Sequence, residues 1–229
     1  MPKFEKSGGA KTKKVKLARK VLEKNDVIAA KLRGSLKKQG IVALNFISSP
    51  GSGKTYLLEK TLKALKDSLK CGVLVGDQET NNDAKRLSGK GARVKQIRTG
   101  NTCHLNADDV ASVVKDVVGA DTDLLIIENI GNLICPAVFD LGEDQKVVLL
   151  SVTEGEDKPL KYPTVFSLAD VVIITKIDLA PHVQWKRKAC LSNLKKIAPQ
   201  ARVFETSAKS GKGMSEWCNY LRQLVSSAK

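Results

Sequence analysis

The stretch Ser48-Ser49-Pro50-Gly51-Ser52-Gly53-Lys54-Thr55 carries the residue types that grip a nucleoside triphosphate. Gly51, Ser52 and Gly53 let successive backbone N–H groups turn inward, Lys54 can reach the β- and γ-phosphates, and the Thr55 hydroxyl can ligate Mg²⁺. The loop lies between the apolar run at 41–47 and a helical pattern at 56–62, so the phosphates would also face a helix N-terminus, with Tyr56 at the edge of the site. The usual spacing is G-x-x-x-x-G-K-[ST], and Ser48 stands where its first glycine would be.

Phosphoryl transfer needs a carboxylate that holds Mg²⁺, directly or through water, and a group that positions the attacking water. Two segments offer these. Ile126-Ile127-Glu128-Asn129-Ile130-Gly131 puts Glu128 at the end of an apolar run and Gly131 where its N–H could meet the γ-phosphate. Gly76-Asp77-Gln78-Glu79-Thr80-Asn81-Asn82-Asp83 follows another apolar run, a natural place for a switch loop. Lys54, Asp77, Asp83 and Glu128 are therefore the catalytic candidates, and Thr55, Asp77 and Glu128 the Mg²⁺ candidates; a helix cap or a plain loop is the alternative for each acid.

Base selection reads further on. Thr175-Lys176-Ile177-Asp178 resembles the Asn-Lys-x-Asp element of GTPases, whose carboxylate accepts from guanine N1–H and the 2-amino group while the lysine stem lies against the base. Adenine offers no such pair of donors, so Asp178 points to GTP. Ser207-Ala208-Lys209 has the form of the companion element whose backbone meets guanine O6. Thr175 keeps a hydroxyl but loses the amide that braces these loops, which predicts reduced nucleotide affinity.

Nucleotide chemistry leaves a second set unexplained. Cys103 and His104 are adjacent, and Cys135 precedes Pro136 shortly after the Glu128 segment. Thiolate and imidazole suit Zn²⁺ or Ni²⁺ rather than Mg²⁺, with simple burial as the alternative. Cys71, Cys190 and Cys218 fall on strand or helix faces and read as core, and His182 as a loop residue. The odd number of cysteines and an N-terminus without an apolar segment predict a reducing, cytoplasmic setting without disulfides.

The elements that must position these groups alternate β and α. Strands are expected at 41–47, 71–77, 94–97, 123–128, 146–152, 170–176 and 202–205, and helices at 107–118, 185–197 and 215–225. Near-continuous β-branched runs mean strands covered on both faces, hence an α/β fold with a mostly parallel sheet flanked by helices and ligands at the strands' carboxyl ends. No run approaches the roughly 18 residues that span a bilayer. The net charge of +15 is concentrated at 1–40, where 13 Lys or Arg face Glu5, Glu23 and Asp26. That segment reads as a basic arm, disordered to about residue 14, then a helix of roughly 20 residues with Val21, Val27, Ile28, Leu32 and Leu36 at helical spacing, leading into a nucleotide domain at 41–229. A solvated charged helix is its simplest reading. An RNA-associated module is the rival; with aromatics only 4% of the chain it lacks a base-stacking platform, so nucleic acid is not expected.

Several stretches together resemble the hydrogenase nickel-incorporation GTPases of the HypB family, in the SIMIBI class of P-loop GTPases. They are the phosphate loop, Gly-Asp-Gln-Glu-Thr-Asn-Asn-Asp-Ala at 76–84, Thr-Gly-Asn-Thr-Cys-His-Leu at 99–105, Glu-Asn-Ile-Gly-Asn-Leu-Ile-Cys-Pro-Ala at 128–137, Phe-Asp-Leu-Gly-Glu at 139–143 and Ser-Val-Thr-Glu-Gly-Glu-Asp-Lys-Pro-Leu-Lys-Tyr-Pro at 151–163. The last separates this family from urease-type and cobalamin-type metallochaperone GTPases. The resemblance covers residues 40–225 and accounts for Ser48. It implies a GTPase that forms a homodimer when GTP binds, works with a nickel-delivery partner and the large subunit of [NiFe]-hydrogenase, and holds metal through Cys103, His104 and Cys135. Some members carry an N-terminal Cys-x-x-Cys-Gly-Cys motif or a histidine-rich tract. Residues 1–40 contain no Cys or His, so tight nickel storage there is not expected.

Overall fold

Continuous apolar runs separated by Gly-rich turns and helical patterns build a parallel sheet between helical layers. The computed structural model describes residues 8–79 and 81–229, with 8–18 as backbone alone. In chain order the elements are α1 (Gly8–Lys38), β1 (Val42–Ser48), α2 (Lys54–Leu65), β2 (Cys71–Asp77), α3 (Asn82–Leu87), β3 (Ala92–Arg98), α4 (Ala107–Val113) and β4 (Leu124–Gly131). They continue with α5 (Cys135–Val138), β5 (Gln145–Ser151), α6 (Lys158–Lys161), α7 (Pro163–Ser167), β6 (Val171–Thr175), α8 (Arg187–Ile197), β7 (Arg202–Glu205) and α9 (Met214–Ala228).

The seven strands lie in the order β3-β2-β4-β1-β5-β6-β7, and every neighbouring pair is parallel. The chain runs outward from β1 to β3 on one side, then crosses after β4 to the other. The loops beyond the carboxyl end of β1 therefore diverge, which opens a crevice there. Alternate residues of each central strand feed opposite layers. Val42, Leu44 and Phe46 pack with Leu57, Leu62, Trp217 and Leu221 under α2 and α9. Ile41 and Ala43 pack with Leu32, Leu36, Val110 and Val114 under α1 and α4. The cysteines Cys71, Cys190 and Cys218 are buried as expected, and burial pushes the Cys71 and Cys190 thiols up to about 12.

Several sequence expectations need correction. Disorder was expected to about residue 14; residues 1–7 lie outside the described residues, but 8–14 are helical, because α1 extends as one 31-residue helix. Once its C-terminal half is docked, each further residue of Lys- and Ala-rich chain adds a hydrogen bond without a new nucleation cost. The buried stripe of α1 is Asn25, Ala29, Leu32 and Leu36, while Val21 and Val27 face solvent. The stripe was misread because its first member is polar. The helix expected at 107–118 stops at Val113 and tightens into a 3₁₀ turn at Val114–Asp116. The switch loop expected at 76–83 gives way to helix at its end, where Asn82 and Asp83 open α3, and β4 runs through Glu128 to Gly131 instead of ending on the carboxylate.

Asn25 is what docks α1. Its Nδ2 donates to the Asp140 carbonyl at 2.8 Å, and its Oδ1 accepts from the Ala107 N–H at 2.8 Å in the first turn of α4. Gly142 passes so close to the helix that a Cβ there would lie 2.9 Å from the Ala29 carbonyl. Asn25→Ala leaves both backbone groups unpaired, and is expected to cost about 1–3 kcal/mol in urea unfolding, with the m-value unchanged.

Candidate nucleotide and metal sites

The crevice is built on the turn from β1 into α2. Gly51 and Gly53 hold positive φ of 74° and 95°, the left-handed backbone that turns the loop's N–H groups inward. No side chain among the described residues caps α2, so its first N–H groups face the opening. The cavity there, about 680 Å³, is lined by residues 48–56 with Asp77, Asp83, Arg86, Gly131 and Lys176. Gly131 lies close against the loop: a Cβ on it would approach Pro50 Cγ to 3.1 Å, tight enough that the proline would have to give way.

Behind this wall, Lys54 Nζ donates to Glu128 Oε1 at 2.9 Å and to the Asn129 carbonyl at 2.6 Å, while Thr55 Oγ1 donates to the same Oε1 at 2.7 Å. Glu128 is 1% exposed. Its Oε2 and the buried Ser52 hydroxyl have no hydrogen-bond partner among the described residues. Two orphaned oxygens beside a hydroxyl are the donor set a hard cation and a phosphate would satisfy, so Mg²⁺ fits these residues. Asp77, at the carboxyl end of β2, borders the same cavity and accepts from the Glu79 N–H at 3.1 Å. Asp83 lies in the first turn of α3 with Arg86 Nη1 at 3.9 Å. Arg86 is a cationic wall residue that the sequence reading missed. Its signal was a base three residues after Asp83.

A smaller adjoining cavity of about 210 Å³ is lined by Gly53, Tyr56, Thr175, Lys176, Asp178, Ala208 and Lys209, among others. Thr175 Oγ1 donates to the Ser52 carbonyl at 2.7 Å, so the hydroxyl still ties the base loop to the phosphate loop. Lys176, at φ 58°, donates through Nζ to the Gly51 carbonyl at 2.6 Å, laying its stem along the cavity. Ser207 is buried beneath the pocket, where its Oγ accepts from the Ser210 N–H at 3.0 Å and shapes the loop.

The structure also brings Cys103, His104 and Cys135 together, all three ligand atoms within 4.8 Å of one another. Cys103 Sγ lies 3.0 Å from Cys135 Sγ and 3.9 Å from His104 Nδ1, and both cysteines are free. The His104 ring stacks on Phe139 with centroids 3.9 Å apart. Asn132, another residue not singled out from sequence, bridges the two arms: its Nδ2 donates to the Cys103 carbonyl at 3.2 Å and its Oδ1 accepts from the Ile134 N–H at 2.9 Å. The contact with Cys135 raises the Cys103 thiol above its ordinary value, and burial lowers His104, opposed by Asp109. Near neutral pH the imidazole is thus a ready ligand, whereas the Cys103 thiol must lose its proton to become one.

A phosphate loop at the switch point of a parallel sheet, with a base pocket beside it, defines a P-loop nucleotide-binding protein. The family model for the CobW/HypB/UreG nucleotide-binding domain matches residues 42–205. The hydrogenase maturation factor HypB of Rhizobium leguminosarum bv. viciae is 49% identical over 207 residues, spanning 90% of this chain and 69% of that protein. Crystal structures of HypB from Helicobacter pylori in complex with nickel and from Archaeoglobus fulgidus superpose with TM-scores of 0.83 and 0.82 at 42% and 40% identity. Each covers 89% of this chain, and the match takes in 96% and 100% of those chains. The chain belongs to the HypB family of hydrogenase maturation factors.

Transition-metal affinity at the Cys103, His104 and Cys135 cluster is expected to rise with pH by about tenfold per pH unit for each thiol proton displaced. Titration calorimetry in buffers of different ionisation enthalpy would count those protons; affinity independent of pH between about 6 and 8 would exclude thiolate ligation.

Proposed function

We propose that the protein is a GTP-hydrolysing metallochaperone that takes part in nickel insertion into [NiFe]-hydrogenase, with its metal site coupled to its nucleotide site. The observation that carries this reading is the Cys103, His104 and Cys135 cluster, whose last member follows Glu128 by seven positions on one continuous segment. Two thiols and one imidazole make a soft, three-ligand set. A fourth position left open suits a cargo ion that must be passed on, whether Ni²⁺ or Zn²⁺ is presented. The nickel complex of the H. pylori relative supports nickel.

In this reading Gly51, Ser52, Gly53, Lys54 and Thr55 bind the phosphates, Asp178 and Lys176 hold guanine, and Ala208 and Lys209 close the pocket. Thr55, Glu128 and Asp77 would hold Mg²⁺, which when bound supplies charge neutralisation at the β- and γ-oxygens. The chain's own contribution is exchange of partners. Incoming phosphate oxygens compete with Glu128 and the Asn129 carbonyl for Lys54, which frees the Glu128 carboxylate to orient water, with Asp83 and Asp77 on the facing wall. Gly131 offers its N–H beside Pro50. The displaced segment leads directly to Cys135, so triphosphate and metal affinity change together. The same movement reshapes the exposed surface at Ile134 and Val138, where GTP-dependent homodimerisation would occur, with the delivery protein and hydrogenase large subunit engaged from that state.

Two outcomes test this. Asp178→Asn exchanges an acceptor for a donor, so GTP affinity should fall about 100- to 1,000-fold while xanthosine triphosphate, with a 2-oxo group, binds better; unchanged base preference would remove the guanine assignment. Cys103→Ala combined with Cys135→Ala should abolish nickel binding at the cluster while leaving GTP binding intact, and full metal occupancy in that variant would show other ligands at work.

A further inference from the structure

A buried polar side chain between the two sites is that of Asn129, a residue the preceding mechanism uses only through its carbonyl. It lies in β4 between β1 and β2 and is 0% exposed. Its Oδ1 accepts from the Leu105 N–H at 3.3 Å and from its neighbour's Ile130 N–H at 2.9 Å. Its Nδ2 donates to Asn45 Oδ1 at 3.2 Å, and Asn45 Nδ2 in turn donates to Glu143 Oε1 at 3.2 Å. Glu143 is fixed by the Lys146 ammonium at 2.7 Å and the Leu141 N–H at 2.6 Å. The amide orientation is dictated by these neighbours, because two backbone N–H donors face one end of it. Meanwhile the Asn129 carbonyl receives Lys54 Nζ at 2.6 Å.

One residue therefore holds the phosphate-loop lysine by its backbone and the residue after His104 by its side chain. Leu105 cannot shift independently, since it is fully buried and a Cβ on Gly76 would lie 2.9 Å from its Cδ1. We propose that Asn129 is a positioning residue that carries the state of the phosphate loop to the Cys103-His104 arm of the metal site. Asn45 and Glu143 give it a fixed point on the far side, so that release of Lys54 from its carbonyl changes the Leu105 anchor instead of dissipating in the core. An asparagine present merely to satisfy Asn45 would need no reach to Leu105.

This inference rests on the proposed coupling of nucleotide to nickel, so wild-type protein is measured alongside Asn129→Ala and the gentler Asn129→Ser, which retains a hydroxyl too short to reach Leu105. Each is titrated with Ni²⁺ in the GDP and the GTP-analogue state, and exchange of the Leu105 amide is followed without metal. Wild type should show a Kd ratio between the two states that differs from one. In both variants guanine nucleotide binding should persist, the ratio should collapse to about one, and Leu105 exchange should quicken about tenfold. A general loss of packing would weaken all ligands together without erasing the ratio. If wild type gives equal affinities, the coupling itself fails. If wild type is coupled and the variants keep both the ratio and slow Leu105 exchange, the positioning role of Asn129 is overturned.

Discussion

A lysine ammonium placed where water hardly reaches must find oxygen atoms at once, and the requirement of Lys54 organises the centre of this molecule. Its side chain is 9% exposed and that of Glu128 1%. Removing two charges from water is costly, and their attraction offsets that cost only with close geometry and further hydrogen bonds. Here the further bonds come from Thr55 and the Asn129 carbonyl. They are available only because β1 and β4 are neighbours in register, Phe46 opposite Glu128, and because Gly131 lets the end of β4 close on Pro50.

The rest of the site follows from where that pair sits. The register that sets Glu128 beside Lys54 sets Asn129 on the opposite face, toward α1 and α4, among Asn45 and Glu143. The face under α2 and α9 thus carries the Lys54–Glu128 pair, while the face under α1 and α4 carries the polar line of Asn45, Asn129 and Glu143. Asn25 and Arg33 of α1 grip the loop that presents Glu143 and, through Phe139, His104.

The strands, the parallel sheet, the phosphate loop and the placing of Asp178 were legible in the sequence because each depends on local patterning: apolar runs, glycines at a fixed spacing, a carboxylate after a strand. Cys103, His104 and Cys135 were legible as types, but their meeting depends on how residues 99–105 fold back across β2 and β4, which no local pattern encodes. Asn25, Asn45, Asn129 and Asn132 were passed over for one reason. An amide at such a position reads as an interruption until its partners are known, and the ones that tie the fold together lie 24 to 115 positions away: Asp140 for Asn25, Leu105 for Asn129 and Cys103 for Asn132. Asn45 in the run Val-Ala-Leu-Asn-Phe-Ile-Ser did carry a signal, because a polar group in a central strand must be paired.

The two adjoining cavities draw their walls from opposite halves of the sheet. Residues after β1 and β2 line one side, and residues after β6 and β7 the other, so Gly53 and Lys209 meet across a long stretch of chain. A nucleotide seated there would add a fastener between halves already joined by β1 with β5, by the packing of α9 on α2 and by the Thr175 hydroxyl on the Ser52 carbonyl. Mass action then makes the cohesion of the fold depend on nucleotide supply, by about 2.7 kcal/mol at a hundredfold excess over Kd. A ligand that binds only the folded state thereby shifts the folding equilibrium as well as filling the site.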